Sequence, residues 1–486
     1  MRVLKRALSS SVARALLWSV ARAPSPAIGD ESSRPGAAGP HIRTSRFGAI
    51  GPLFTLVLCF LVGVFVAVSD LNPPTRGIIA PSPTKIDAAR ARFEVERAAR
   101  ADKMYVTGAH IDIDERTPWT REGDAWTVAV VSDGARFLRV LARATGPVAG
   151  ELTIEGADGA ALAIDSARFA ESGEVWSPAV SGDTAVLRWR GAVSPPMNIV
   201  RVTHGFEDLF AYVRGGAKEA NCYIDAVCED DWASVRRGVA YYEFEAQGFA
   251  AVCTGALIGD AKDTGIPWFL TAHHCVNNQA AAASVQAFWN FETQSCNGPL
   301  VPVSQIKYNS GADYMTGTGE YKSDFALLRF DDDPPSVARF LDWTTNAVSA
   351  DEQLTVIHHP GGAYKRISHG VLEGDDSSWW FVRYTESSTE GGSSGAPLFN
   401  ANKKIVGQLF GGYASCFDMN EIDEYGKISR SYSDGLANYI GPDADDNPQP
   451  EDPGDPPVIL DDDDDDAGGE DALKTQGSDD GGCCGC

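Results

Sequence analysis

Three polar residues stand in chain order at positions suited to covalent chemistry: His274, Asp324 and Ser394. A serine hydroxyl is a poor nucleophile at its ordinary pKa. It needs a base to take its proton and a third group to hold that base in the right tautomer. Ser394 is expected to attack a scissile carbonyl. His274 would accept the proton and pass it to the leaving amine, and Asp324 would orient the imidazole and stabilise its charged form. Ser394 lies in Glu390-Gly391-Gly392-Ser393-Ser394-Gly395-Ala396-Pro397. The glycines permit a tight turn that aims the N–H groups of Gly392 and Ser394 at a developing oxyanion, an effect of roughly 3–4 kcal/mol per donor. One Gly-x-Ser-Gly would be weak evidence; three coordinated segments are strong evidence.

The elements that carry these residues are as informative as the residues. His274 ends Leu270-Thr271-Ala272-His273-His274, followed by Cys275, and Asp324 opens the apolar run Ser323-Asp324-Phe325-Ala326-Leu327-Leu328. These segments resemble those of chymotrypsin-like serine proteases. The pattern Thr-Ala-x-His-Cys selects His274 over His273, and Gly-x-Ser-Gly-x-Pro selects Ser394 over Ser393. The stretch from about Cys222 to Pro442 resembles bacterial lysyl endopeptidases of the Achromobacter protease I type. The resemblance is carried by Asn221 to Asp225, Leu270 to Cys275, Trp289 to Phe291, Ser323 to Phe325, His358 to Pro360, Lys365 to Ser368, Gly392 to Pro397 and Val406 to Leu409. It implies an all-β fold of two six-stranded antiparallel barrels with the site in the cleft between them. His274 and Asp324 would come from the first barrel and Ser394 from the second. His358 and His359 are read as structural.

The resemblance also implies a substrate. Asp423, in Ile422-Asp423-Glu424-Tyr425-Gly426-Lys427, takes the place of the family's aspartate at the base of the S1 pocket, with Phe410 and Gly411 in the wall. A buried carboxylate is costly unless a cation pairs with it, which favours a basic P1 side chain. The competing reading puts Asp423 in an exposed acidic loop with Asp418, Glu421 and Glu424. Phe410 departs from the family's histidine, and Trp379 or Trp380 would replace its partner tryptophan; this weakens a strict preference for lysine over arginine. Ser393 stands where trypsin-like zymogens carry an aspartate that pairs with a new N-terminal ammonium. Activation is therefore expected to proceed by removal of a covering pro-segment.

Of ten cysteines, six lie in this region, and six allow fifteen pairings. The resemblance implies Cys222–Cys416, Cys228–Cys296 and Cys253–Cys275. Such bridges persist in an oxidising compartment, so the protein is expected to be secreted or held at the cell surface. Residues 1–48 form a basic lead. Residues 49–69 hold an uncharged apolar run preceded by Arg43 and Arg46 and followed by Asp70, a signal-peptide core or a signal anchor. Residues 70–104 read as a Pro-rich linker and, over 85–103, an amphipathic helix. Residues 105–218 alternate as strands at 126–132, 137–144, 151–155, 184–190 and 198–203, expected to form a small antiparallel β-sandwich pro-domain. The protease domain follows over 219–442. Arg214 and Lys218, just before Cys222, are candidate processing sites.

From residue 443 the chain is acidic, with 16 Asp or Glu against one Lys, so this tail carries most of the net charge of −26. Self-repulsion and scarce apolar residues predict disorder. It ends in Cys483, Cys484 and Cys486, which read as an attachment or sorting signal. No phosphate-binding loop, dinucleotide fingerprint or zinc-ligand spacing occurs, so neither cofactor nor metal is expected, and the acidity argues against nucleic acid. The expected partners are polypeptides with a basic P1 residue, the protein's own pro-domain, and a membrane or cell surface reached through residues 49–68 or the terminal cysteines. Together these readings predict an exported serine endopeptidase cutting after lysine, with arginine second, made as a self-processing proenzyme. The alternative is a catalytically silent protease-fold binding or adhesion protein.

Overall fold

The computed structural model describes residues 77–100, 102–209, 222–302 and 305–442. The basic lead, the apolar run at 49–69, the acidic tail with its cysteines, and both Arg214 and Lys218 lie outside the described residues. Among the described residues no helix is long and apolar enough to cross a membrane.

A half-barrel and a closed six-stranded barrel dominate residues 222–442, where two six-stranded barrels were expected. In the first, Val239–Ala246 pairs with Phe249–Ile258, which pairs with Trp268–Ala272; that strand pairs with Phe325–Phe330, and Ala312–Gly317 completes this side. Such continuous apolar runs suit strands buried on both faces. Phe269, Leu270, Phe325, Leu327 and Leu328 are all buried. The second barrel is closed. Arg366–Asp375, Gln353–His358, Pro397–Phe399, Ile405–Gly412, Ile422–Lys427 and Trp379–Glu386 pair in that order, and the last pairs back with the first. This is the chymotrypsin-like double barrel.

The register of the first barrel matters for chemistry. Ala272 opposes Phe325, so the segments that run off the end of one strand and onto the start of the other begin side by side. The two barrels are joined by polar contacts near the cleft. Thr254 N–H donates to the Ser394 carbonyl at 2.9 Å, and Thr254 Oγ1 donates to the Gly392 carbonyl at 2.9 Å.

Residues 77–205 build a two-layer β unit. Its outer sheet holds Ala125–Val131, Gly150–Glu155 and Thr184–Gly191, close to the strands expected there. Period-two patterning sends Ala185, Leu187 and Trp189 inward against Val128, Leu138, Val140 and Ile154. The inner sheet is not self-contained. Tyr105–Asp112 pairs with Met197–Gly205 on one side and with Phe249–Ile258 of the first barrel on the other. The unit is thus continuous with the barrel wall. A buried polar cluster lies beneath the shared sheet, where Glu245 meets His110 at 2.7 Å, Thr203 Oγ1 at 3.0 Å and Arg139 at 3.4 Å.

The helix is shorter than expected. It spans Pro83–Ala99, capped by Ser82 with Pro83 in its first turn, and buries Ala89 and Phe93. Arg100 is already extended, with its guanidinium held by Glu96 at 2.7 Å and Asp102 at 2.9 Å. Tertiary pairing overrides helix propensity here: Asp102 forms an antiparallel bridge with Gly411. The chain therefore leaves the helix and enters the cleft between the barrels.

Candidate active site

The two strand ends of the first barrel bring His274 and Asp324 together. His274 Nδ1 lies 2.6 Å from Asp324 Oδ2, and the His274 backbone N–H donates to Asp324 Oδ1 at 3.0 Å. Asp324 is 1% exposed and takes a left-handed backbone, φ 52°, a conformation that costs a non-glycine residue free energy and that the surrounding bonds hold. His274 Nε2 lies 2.8 Å from Ser394 Oγ across the cleft. Burial opposes the charged imidazole, but Asp324, followed by Asp102, outweighs it and holds His274 above its ordinary pKa. His273 faces elsewhere, against Tyr314. The bridge Cys253–Cys275 braces the loop beside His274. Its sulfurs and the imidazole form a close trio, but the disulfide and the hydrogen bonds of His274 leave no free metal-ligand set there.

The turn at Gly392 needs glycine. Its φ is +96°, and a Cβ there would lie 2.6 Å from the His359 carbonyl oxygen and 2.9 Å from Gly362 N. In this conformation the N–H groups of Gly392 and Ser394 converge on one carbonyl oxygen, that of Lys103, at 2.6 and 3.2 Å. The converging pair expected for an oxyanion is thus occupied by the protein's own backbone.

Asp423 is 0% exposed, on the strand Ile422–Lys427, and is not part of an open acidic loop. Its Oδ1 accepts from Ala414 N–H at 3.2 Å; its Oδ2 accepts from Tyr384 Oη at 3.1 Å and from Thr389 Oγ1. Oδ2 also takes the ammonium of Lys103 at 2.6 Å. The ammonium donates further to Thr389 Oγ1 at 2.5 Å and to the Ala414 carbonyl at 2.9 Å. Burial lowers the Lys103 pKa and Asp423 opposes that shift. Gly412 makes room for this arrangement, since a Cβ there would lie 2.4 Å from Asp423 Oδ1.

The wall residues divide. Gly411 bridges Asp102 through its backbone. Phe410 packs edge-on against the His274 ring at 5.5 Å and tilted against Trp379 at 5.3 Å. Of the two candidate tryptophans, Trp379 is thus the partner of Phe410. Trp380 is buried in the second barrel, donating to the Val406 carbonyl and lying under the Lys427 ammonium. The departure at Phe410 therefore sits beside His274, while the polar partners of the Lys103 ammonium are Thr389, Ala414 and Asp423.

Ser393 is buried, and its Oγ lies 2.8 Å from His358 Nδ1, whose Nε2 lies 3.0 Å from Ser368 Oγ. Burial, with Lys103 and Arg366 adding, depresses His358 to about 3. A neutral network thus occupies the place of an activation ion pair. His359 is likewise held far below its ordinary pKa, chiefly by burial with help from Lys365, and pairs with the Ala363 carbonyl at 2.9 Å. The six cysteines form Cys222–Cys416, Cys228–Cys296 and Cys253–Cys275.

Lys103 is the residue that sequence reasoning missed. The amphipathic pattern carried it inside the helix, and no local signal separates it from the chain's other lysines.

A chymotrypsin-like double barrel with a serine, a histidine and an aspartate linked across its cleft defines the class to which this chain belongs. Within that class, residues 217–426 match the family model for the lysyl endopeptidase C-terminal domain. The chain is 26% identical over 298 residues to the lysyl endopeptidase of Pseudomonas aeruginosa, covering 55% of this chain and 63% of that protein. It thus spans less than two thirds of that relative's length. Among solved structures, a Glu endopeptidase aligns at 17% identity and a TM-score of 0.34 over 46% of this chain and 98% of that one. The active form of the Rv3671c protease of M. tuberculosis aligns at 17% identity and 0.32 over 46% and 92%. Residues 217–426 are thus similar to the lysyl endopeptidase C-terminal domain.

Proposed function

We propose that this protein is a serine endopeptidase that cuts peptide bonds on the carboxyl side of lysine. The observation that carries the reading is the buried Asp423 carboxylate at the end of a pocket beside Ser394, paired with a lysine ammonium. With a substrate lysine in that pocket, its carbonyl oxygen meets the N–H groups of Gly392 and Ser394. Ser394 Oγ attacks the carbonyl carbon as His274 Nε2 takes its proton, and Asp324 stabilises the resulting imidazolium. His274 returns the proton to the leaving amine. Water then hydrolyses the ester by the same route.

Lysine is favoured over arginine on geometric grounds. Asp423, Thr389 and the Ala414 carbonyl surround a point donor at the end of a four-carbon stem. The planar guanidinium is longer and presents its donors in a fork, so it would need this floor to recede. Three disulfides support an oxidising compartment and hence export. Residues 105–218 are read as a pro-domain, because the strand Tyr105–Asp112 follows directly from the segment in the cleft. Digesting a mixed peptide library with the processed protein tests the specificity: cleavage is expected after lysine, with arginine cut at least tenfold more slowly. Cleavage without preference for a basic P1 residue would reject it. Labelling of Ser394 by an active-site serine reagent separates an enzyme from a silent binding protein.

A further inference from the structure

Four contacts place residues 102–106 along the cleft as a substrate would lie. On one side of Lys103, Asp102 forms an antiparallel bridge with Gly411 of the second barrel. On the other, Tyr105 and Val106 pair antiparallel with Val252 and Ala251 of the first barrel. Between them the Lys103 side chain fills the pocket down to Asp423 at 2.6 Å, and its carbonyl oxygen accepts from both Gly392 and Ser394. The segment is thus clamped on both flanks, at the specificity pocket and at the oxyanion donors. Its carbonyl lies beside a Ser394 hydroxyl already in contact with His274.

We propose that the Lys103–Met104 peptide bond is a self-cleavage site, and that until it is cut residues 102–106 block the cleft against other substrates. The proposal rests on the lysyl endopeptidase reading above and names its first substrate. In the step itself, Ser394 Oγ bonds to the Lys103 carbonyl carbon and the Lys103–Met104 C–N bond breaks. The serine proton passes through His274 Nε2 to the Met104 nitrogen. Water, activated by the same imidazole, releases Lys103 as a carboxylate and restores Ser394. Met104 becomes a new amino terminus at the head of a strand that stays paired to the first barrel. The product ending at Lys103 is then held by the packing of the helix Pro83–Ala99 and by the pairing of Gly77–Ile79 with Ala125–Val131. Its links include Arg92 to the His110 carbonyl at 2.6 Å and Lys85 to Asp114 at 2.9 Å. This site is separate from Lys218 and Arg214 and does not depend on them.

The test uses the full chain in three forms: wild type, Ser394→Ala and Lys103→Gln. Terminal sequencing and mass spectrometry should find a product beginning at Met104 in the wild type. That product should be absent from Ser394→Ala and reduced at least tenfold in Lys103→Gln. A second arm measures equilibrium binding of a fluorescent lysine-ended peptide to uncut Ser394→Ala and to Ser394→Ala/Lys103→Gln. Binding should be at least tenfold tighter in the double variant. If Lys103→Gln does not fold, a synthetic peptide spanning residues 97–110 replaces it, with cleavage by the processed enzyme expected between Lys103 and Met104. A wild-type protein that cuts added lysyl peptides yet never yields a Met104 terminus overturns the proposal and leaves the lysyl endopeptidase reading standing. A Met104 terminus in Ser394→Ala, or equal peptide binding in the two Ser394→Ala forms, also overturns it. No turnover of any added lysyl peptide by processed wild type refutes the underlying reading instead.

Discussion

Replacing Asp423 by Asn tests the pocket while disturbing little else. Asn is nearly isosteric, and its Oδ1 can still accept from Ala414 N–H, while its –NH2 faces the Tyr384 and Thr389 hydroxyls, which must turn to accept from it. The negative charge goes. A lysine ammonium entering the pocket would keep Thr389 Oγ1 and the Ala414 carbonyl but lose the carboxylate at 2.6 Å. Removing one member of a buried ion pair costs about 3–5 kcal/mol, because the remaining charge is left uncompensated. At about 1.4 kcal/mol per tenfold change, kcat/KM for a lysyl peptide should fall roughly 10²- to 10³-fold or somewhat more. The assay compares matched peptides with lysine or norleucine at P1, using processed enzyme so that Lys103 does not compete. The norleucine peptide should be cut at nearly the same rate by both enzymes, and the fraction of Ser394 titrated should be unchanged. A loss of less than tenfold on the lysyl peptide would show that Asp423 does not carry the specificity.

Three further outcomes are expected. Gly392→Ala places a Cβ against the His359 carbonyl in a left-handed backbone, so one oxyanion donor should be misaimed and kcat should fall about 10²- to 10³-fold, while circular dichroism stays native; retention of most activity would contradict the assignment. Opening Cys253–Cys275 by replacing both residues with Ser should lower unfolding free energy by about 3 kcal/mol, given the 22-residue separation, as read by denaturant titration. His358, depressed to about 3 in the folded chain, binds a proton more readily when unfolded, so its contribution to stability is complete above about pH 6.5 and is lost as pH falls towards 3. That loss is on the order of 5 kcal/mol for 3.5 units at about 1.4 each. His358→Gln should therefore flatten the fall in Tm between pH 7 and 4; a wild-type-minus-variant difference that does not change with pH would refute this account.

Much of the site was legible because its parts are local. A glycine-flanked serine, a histidine before a cysteine and an aspartate opening an apolar strand each announce themselves within a few residues. The strands of the N-terminal unit were legible for a similar reason, since period-two alternation is a property of short windows. The C-terminal end of the helix was not. Nothing between Ala99 and Tyr105 signals that a strand of the second barrel waits to pair with Asp102, and amphipathic spacing alone carried the helix on to 103.

What the sequence determined by itself is the set of candidate groups: a serine in a glycine turn, a histidine and an aspartate proposed as its base and orienting acid, and a candidate acid for a basic side chain. Tertiary structure alone decided the rest. It buried Asp423 rather than leaving it in an acidic loop, and it chose Trp379 as the partner of Phe410. It also put Lys103, 320 positions from Asp423 along the chain, into the pocket. Contacts of that range are set by how barrels and sheets pack. A short window of sequence records which groups are present, while their meeting depends on the register of strands far apart in the chain.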